Sequence, residues 1–131
     1  MITKELENTL KLAVAEATKR QHEFVTLEHL LLALLSDSTA RDVIYSCGGN
    51  LNTLKQEIDE FFAAHSEMVV ADTSALPEQT IAFQQVLQYA LLQAQASEQQ
   101  EVNGGNVLAA LFSAKHSHAV FLLNKHGIWY P

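Results

Sequence analysis

One register shift constrains this chain more than any other feature. Residues 5–43, moved by 77 positions, lie over residues 82–120 without a gap. Nine positions are then identical: Leu10/Leu87, Ala13/Ala90, Ala17/Ala94, Val25/Val102, Leu31/Leu108, Ala33/Ala110, Leu34/Leu111, Ser36/Ser113 and Val43/Val120. Two unrelated amphipathic segments would share an apolar period; they would not so readily share the choice of small against large, as in EHLLLALLS and GNVLAALFS. The chain therefore reads as an internal duplication, two units that each bury on the other what neither can bury alone.

The units are helical. Leu6, Leu10, Ala13, Val14 and Ala17 recur at three- and four-residue steps, which predicts a first helix over about residues 4–20. Thr26 is placed to cap a second, LEHLLLALL, apolar nearly all round and so the buried centre of its unit. Ser38 is the expected cap of a short third helix that stops before Gly48 and Gly49, and Asn50 of a fourth with Leu51, Leu54, Ile58, Phe61 and Phe62 on its apolar stripe. Residues 65–78, HSEMVVADTSALPE, break the pattern and read as a connection, with MVV either a stray strand or an extended loop. Helical spacing resumes at Phe83, Val86, Leu87, Ala90, Leu91 and Ala94; Asn103 and Ser117 open two more helices. The expected architecture is one all-α domain over 1–131, a pseudo-twofold double repeat of a four-helix unit, with repeat one at 1–64 and an incomplete repeat two at 79–131. The eighth helix is missing from this sequence, and Trp129 and Tyr130 are expected to fold back over the faces it would cover or to pack against another copy.

Charge and composition narrow the function classes. With 8 Lys and Arg against 15 Asp and Glu, the net charge is −7, which argues against nucleic acid and anionic membranes as partners. No Lys or Arg falls between Lys55 and Lys115, whereas Glu57, Asp59, Glu60, Glu67, Asp72, Glu78, Glu98 and Glu101 do. Such a block is a solvated acidic face or a docking surface for a basic partner. No apolar run is long enough to span a bilayer, the opening MITKELENTL holds no apolar signal core, and the single Cys47 excludes an intrachain disulfide. A reducing, cytoplasmic setting is the expectation.

Catalytic chemistry is hard to find. His22-Glu23 begins like a zinc-protease helix, but the second histidine would have to stand at position 26, where Thr26 is. A metal-dependent hydrolase would have to draw on His22, Glu23 and His65, which have no ligand spacing to recommend them. Cys47 has no neighbouring base in sequence and reads as a small apolar residue. Gly104-Gly105 precedes a helix without the lysine of a phosphate loop, and no G-x-S-x-G elbow occurs. The expectation is an interaction module without a catalytic, cofactor or metal site of its own.

The stretch His22-Glu23-Phe24-Val25-Thr26-Leu27-Glu28-His29-Leu30-Leu31-Leu32-Ala33-Leu34-Leu35 resembles the signature of the N-terminal domain of Clp ATPases, and Glu101–Leu108 echoes it in the second half. Glu5-Leu6-Glu7, Phe83-Gln84-Gln85-Val86-Leu87-Gln88 and Leu122-Leu123-Asn124-Lys125-His126 resemble the ClpA branch in particular; the likeness runs over residues 1–127. The resemblance implies a docking domain on an ATP- and Mg-dependent unfoldase that feeds the ClpP peptidase. It also implies the small adaptor ClpS and substrate proteins as partners. By the same resemblance Glu23, Glu28 and Thr80 would form the adaptor surface, with the two glutamates exposed beside a capped helix start and the Thr80 hydroxyl reaching across the seam. Gln85 stands where the ClpA pattern has an arginine, so one pairing to the adaptor is unavailable. A free-standing binding protein with no attached motor is the alternative.

Overall fold

The computed structural model describes residues 1–72 and 74–129. In chain order the elements are α1 (Lys4–Lys19), β1 (Phe24–Val25), α2 (Leu27–Leu34), α3 (Ser38–Ser46), α4 (Leu51–Ala64), a 3-10 turn (Ser66–Met68), β2 (Glu78–Gln79), α5 (Ile81–Ala96), α6 (Gly104–Leu111) and α7 (His118–Lys125). Shifting α1 and α2 by 77 residues reproduces the bounds of α5 and α6 to the residue. The duplication in the sequence is a duplication of structure.

Local capping sets these bounds. Thr3 accepts from the Leu6 N–H and its mate Thr80 from the Phe83 N–H, each satisfying one orphan donor of a helix start. Asn50, Asn103 and Ser117 cap α4, α6 and α7 as their positions in the sequence predict. At α3 the cap is Asp37 rather than Ser38: its carboxylate accepts from the Thr39 and Ala40 N–H groups, and Ser38 becomes the first helical residue. A carboxylate gains more from the helix dipole there than a hydroxyl does. Of the MVV stretch, Met68 ends the 3-10 turn, and Val69 runs extended after it and pairs with His22 in an isolated antiparallel bridge.

The repeats interlock through their backbones. The Thr80 N–H donates to the Val25 carbonyl at 3.1 Å, and the Thr3 N–H donates to the Val102 carbonyl at 2.9 Å. Val25 and Val102 are duplication mates, and both are buried. Each repeat's entry strand therefore pairs with the other repeat, β1 with β2 in parallel and Ile2 with Val102 in the same sense. Packing is reciprocal as well: α3 lies on α6, and α7 lies on α2. Leu31 and Leu108, on the two central helices, are 0% and 1% exposed.

The gapless register ends at the turn before α7. The left-handed glycines that close α3 and α7, Gly48 at φ 84° and Gly127 at φ 78°, stand 79 residues apart. Two extra residues have entered that turn, so the structural mate of Ile44 is Leu123, and the Val43/Val120 identity pairs an exposed residue with a buried one. The chain end also differs from expectation. Ile128 is the apolar group buried there, 2% exposed and close against Gly49, while Trp129 is 65% exposed and does not fold back into the chain, the first of the two arrangements expected of it. The expectation for Tyr130 lies outside the described residues.

Leu31→Ala and Leu108→Ala are each expected to cost about 2–5 kcal/mol in urea melts. Gly104→Ala is expected to cost about 1–3 kcal/mol, because its Cβ would meet the Asp37 carboxylate at 2.1 Å. That carboxylate is fixed by Thr9 and the α3 cap and cannot move aside. Losses below about 0.5 kcal/mol in all three would show that the α2–α6 centre is not the core.

Candidate functional site

Three helix starts converge on one open depression of about 320 Å³, lined by Thr26, Leu27, Glu28, Phe61, Thr80, Ala82, Ser117 and His118. They are the starts of α2, α5 and α7, brought together by the seam. Of the residues singled out in the sequence, Glu28 and Thr80 meet here, 52 positions apart in the chain. Ser117 and His118 join them from the second repeat and Phe61 from α4; nothing in the sequence places these three with the others, since the contact depends on how α7 crosses the seam.

Glu28 does not stand in solvent as expected. It is 8% exposed, and its Oε2 accepts from the Ala119 N–H at 3.0 Å. The side chain thus caps the first turn of α7 in the opposite repeat, alongside Ser117, and its negative charge favours that helix end. The Thr80 hydroxyl is likewise committed as an acceptor in its own helix cap; what crosses the seam is its backbone N–H. Phe61 forms a wall, its ring 4.2 Å from that of His65 and 4.3 Å from that of His118 between centroids. The depression combines an aromatic wall, three side-chain hydroxyls and a buried carboxylate.

Glu23 lies elsewhere, on a second depression of about 290 Å³ that includes His22, Asp72, Leu76 and Glu78. It is exposed, and its backbone is clamped from both sides, donating to the Met68 carbonyl and accepting from the Glu78 N–H. Three carboxylates and no Lys or Arg line this depression, whereas Leu76, 76% exposed, and Pro77 add apolar surface. The arrangement suits a basic, partly apolar segment. Gln85 is exposed on α5 and has no part in either depression.

A buried histidine pair supports both surfaces from below. The Thr26 N–H donates to His29 Nδ1 at 2.9 Å, and His29 Nε2 lies 2.8 Å from His22 Nδ1. An Nδ1 that accepts fixes the His29 proton on Nε2, which then donates to His22. His29 stacks on Phe62, over which the Arg20 guanidinium lies at 4.7 Å. Burial, then the neighbouring His22 and Arg20, hold His29 down at about 3; burial and Arg20 lower His22. The sequence spacing of seven gave no sign of this contact, because it arises from the turn that folds β1 back over α1. His65 has its Nδ1 on the Phe61 carbonyl, so His22, Glu23 and His65 assemble no site; among the described residues no three His, Cys, Asp or Glu side chains could hold a metal ion. No described helix is long and apolar enough to cross a membrane.

Comparison with known proteins places these features. Residues 1–126 match the family described as Clp repeat (R) N-terminal domain. A ClpA homolog protein from Fuscovulum blasticum is 38% identical over 126 residues, 94% of this chain but 16% of that protein. The chain therefore spans about a sixth of that relative. The ClpV N-domain from Vibrio cholerae has a similar fold, with a TM-score of 0.79 at 23% identity over 94% of this chain and 75% of that one. A ClpV N-domain in complex with a VipB peptide gives a TM-score of 0.74 at 24% identity, over 94% and 77%.

Two outcomes follow for stability. Glu28→Gln keeps an acceptor for Ala119 and is expected to cost less than about 1 kcal/mol, whereas Glu28→Lys buries an unpaired charge and is expected to cost more than about 2 kcal/mol. Equal melts for the two would contradict the cross-repeat cap. Both buried histidines are neutral when folded at neutral pH and take up protons when unfolded below about 6.5. Stability present above that pH is lost as pH falls toward the folded value of His29, by up to about 1.4 kcal/mol per pH unit per histidine. Urea midpoints between pH ~7 and ~5.5 should show this slope, and His29→Gln, which retains a capping-box side chain, should flatten it. An unchanged slope in that variant would exclude the pair as its source.

Proposed function

The chain belongs to the family of Clp repeat N-terminal domains, and from that premise we propose that it is the adaptor- and substrate-docking domain of a ClpA-type ATPase subunit. It receives proteins delivered by the adaptor ClpS for unfolding and passage to ClpP. ATP and Mg are needed by the ATPase modules of the parent subunit and not by this domain. The work done here is binding, in the cytoplasm, with no part for nucleic acid or membrane.

The observation that carries the reading is the convergence at the seam. Glu28 and Thr80 line one depression, and Glu23 lines a second whose carboxylates have no Lys or Arg among them. The two depressions flank β1, Glu23 just before the strand and Thr26 just after it, so one partner can engage both. The relative whose ClpV N-domain holds a VipB peptide supports a peptide-binding role for this fold. In this chain Glu23 supplies a charge for direct pairing, because it is exposed and free to accept charge-assisted hydrogen bonds. Glu28 and Thr80 shape the surface through the helix ends they cap. Their substitution acts by moving α7 and α5.

Calorimetric titration with ClpS tests the reading. Glu23→Lys is expected to weaken binding by about 1–3 kcal/mol with an unchanged urea midpoint. Binding by the parent domain that Glu23→Lys leaves untouched, or no binding by the parent domain at all, would overturn the assignment of this surface to the adaptor.

A further inference from the structure

The two long equivalent helices differ most where nothing in the chain packs on them. The outward stripe of α1 is Lys4, Asn8, Lys11 and Ala15; the positions 77 later on α5 are Ile81, Gln85, Gln88 and Leu92. All eight are exposed. On α1 the charges Lys4, Glu5, Glu7, Lys11, Glu16 and Lys19 keep that surface in water, while α5 has no charged residue in its 16. Ile81 is 73% exposed and Leu92 56% exposed, and the core needs neither, since α5 already turns Phe83, Val86, Ala90 and Ala94 inward. The first repeat is an internal control: a helix of the same length, place and fold carries an ordinary solvated face there.

We infer that this stripe is a twofold self-association surface, on which α5 of one copy packs antiparallel against α5 of a second. The order apolar, amide, amide, apolar reads the same from either end, with four-three-four spacing about the Val86–Leu87 bond. Antiparallel pairing sets Ile81 against Leu92 of the second copy and Gln85 against Gln88 of the second copy, twice each. A closed twofold contact requires such self-complementarity, and an amide that both donates and accepts provides it. The flanks continue the match: Gln84 falls opposite Tyr89, and Ala82 opposite Leu91, all four of them exposed.

Electrostatics favour a second copy over a different partner. At a net charge of −7 two copies repel each other over most of their surfaces, and the cost is least on a charge-free face. A basic partner gains nothing there, because the stripe offers no carboxylate. The stripe is about 16 Å long at ~1.5 Å per residue, so the contact is small and the dimer weak, with Kd of about 10–500 μM.

Sedimentation velocity of the whole chain up to about 1 mM, in a range chosen to exceed that Kd, tests the inference. Self-association is expected for the parent and for Ala15→Lys on α1, and its loss for Ile81→Lys and Leu92→Lys, all with unchanged melting. In a Cys47→Ser background, Gln85→Cys chains mixed with Gln88→Cys chains should form a mixed disulfide faster than either forms its own. A monomer at every concentration, association that survives both lysine variants, or cross-linking no faster in the mixture would each overturn it. None of these readouts involves ClpS, so failure of the adaptor reading leaves the inference standing, and the reverse.

Discussion

The reciprocal pair of strand contacts across the seam is the constraint on which the rest depends. Val25 receives Thr80, and Val102 receives Thr3, so each repeat completes the backbone hydrogen bonding of the other. A buried carbonyl left without a donor would cost about 1–3 kcal/mol, and both valines are buried. The same contacts fix Thr3 and Thr80 as helix caps and thereby the starting points of α1 and α5. Glu28 extends the principle, since a side chain of the first repeat caps a helix of the second. Neither repeat is complete as a folding unit, and the depression that gathers Thr26, Glu28, Thr80 and Ser117 exists only because both are present.

The sequence reveals most where structure is repetitive. The helices follow from apolar spacing and cap residues, and the duplication follows from the match of small and large residues at buried positions. The resemblance on His22–Leu35 led to the family that residues 1–126 match. It does less well with contacts made across the seam. Ser38 has the chemistry of a cap, but Asp37 takes the role because its carboxylate also receives the Thr9 hydroxyl and sits against Gly104. Glu28 reads as an exposed charge from its place in a first helical turn; only the approach of α7 buries it. The His22–His29 contact is invisible at a spacing of seven, and Trp129, a large apolar group at a chain end, turns outward because the smaller Ile128 already fits the site beside Gly49.

Identity between the repeats is greatest at the shared core. Inside, Leu31/Leu108, Ala33/Ala110 and Ala17/Ala94 are unchanged, as close packing at a shared core requires. At the seam, the buried Glu28 stands where the second repeat has Gly105, and the space a side chain would take at Gly105 is occupied by Thr39 of the first repeat. The pseudo-twofold axis thus relates two backbones that carry different surfaces: an acidic depression before β1 and a second one with a buried glutamate after it, and a charge-free helix face on α5. Docking specificity in such a domain resides in what the duplication has ceased to share.

Native-state hydrogen exchange at four amides tests the interlocked seam most directly. If the repeats fold as one unit, the N–H groups of Thr3, Val102 and Thr80 exchange only through global unfolding, with the same opening free energy as a core amide such as Leu31. They should also respond to added urea with the full slope of the global transition. Exchange of the Thr3 and Thr80 amides through a smaller, urea-insensitive opening while Leu31 stays protected would contradict the account, showing repeats that touch at the seam but do not depend on it.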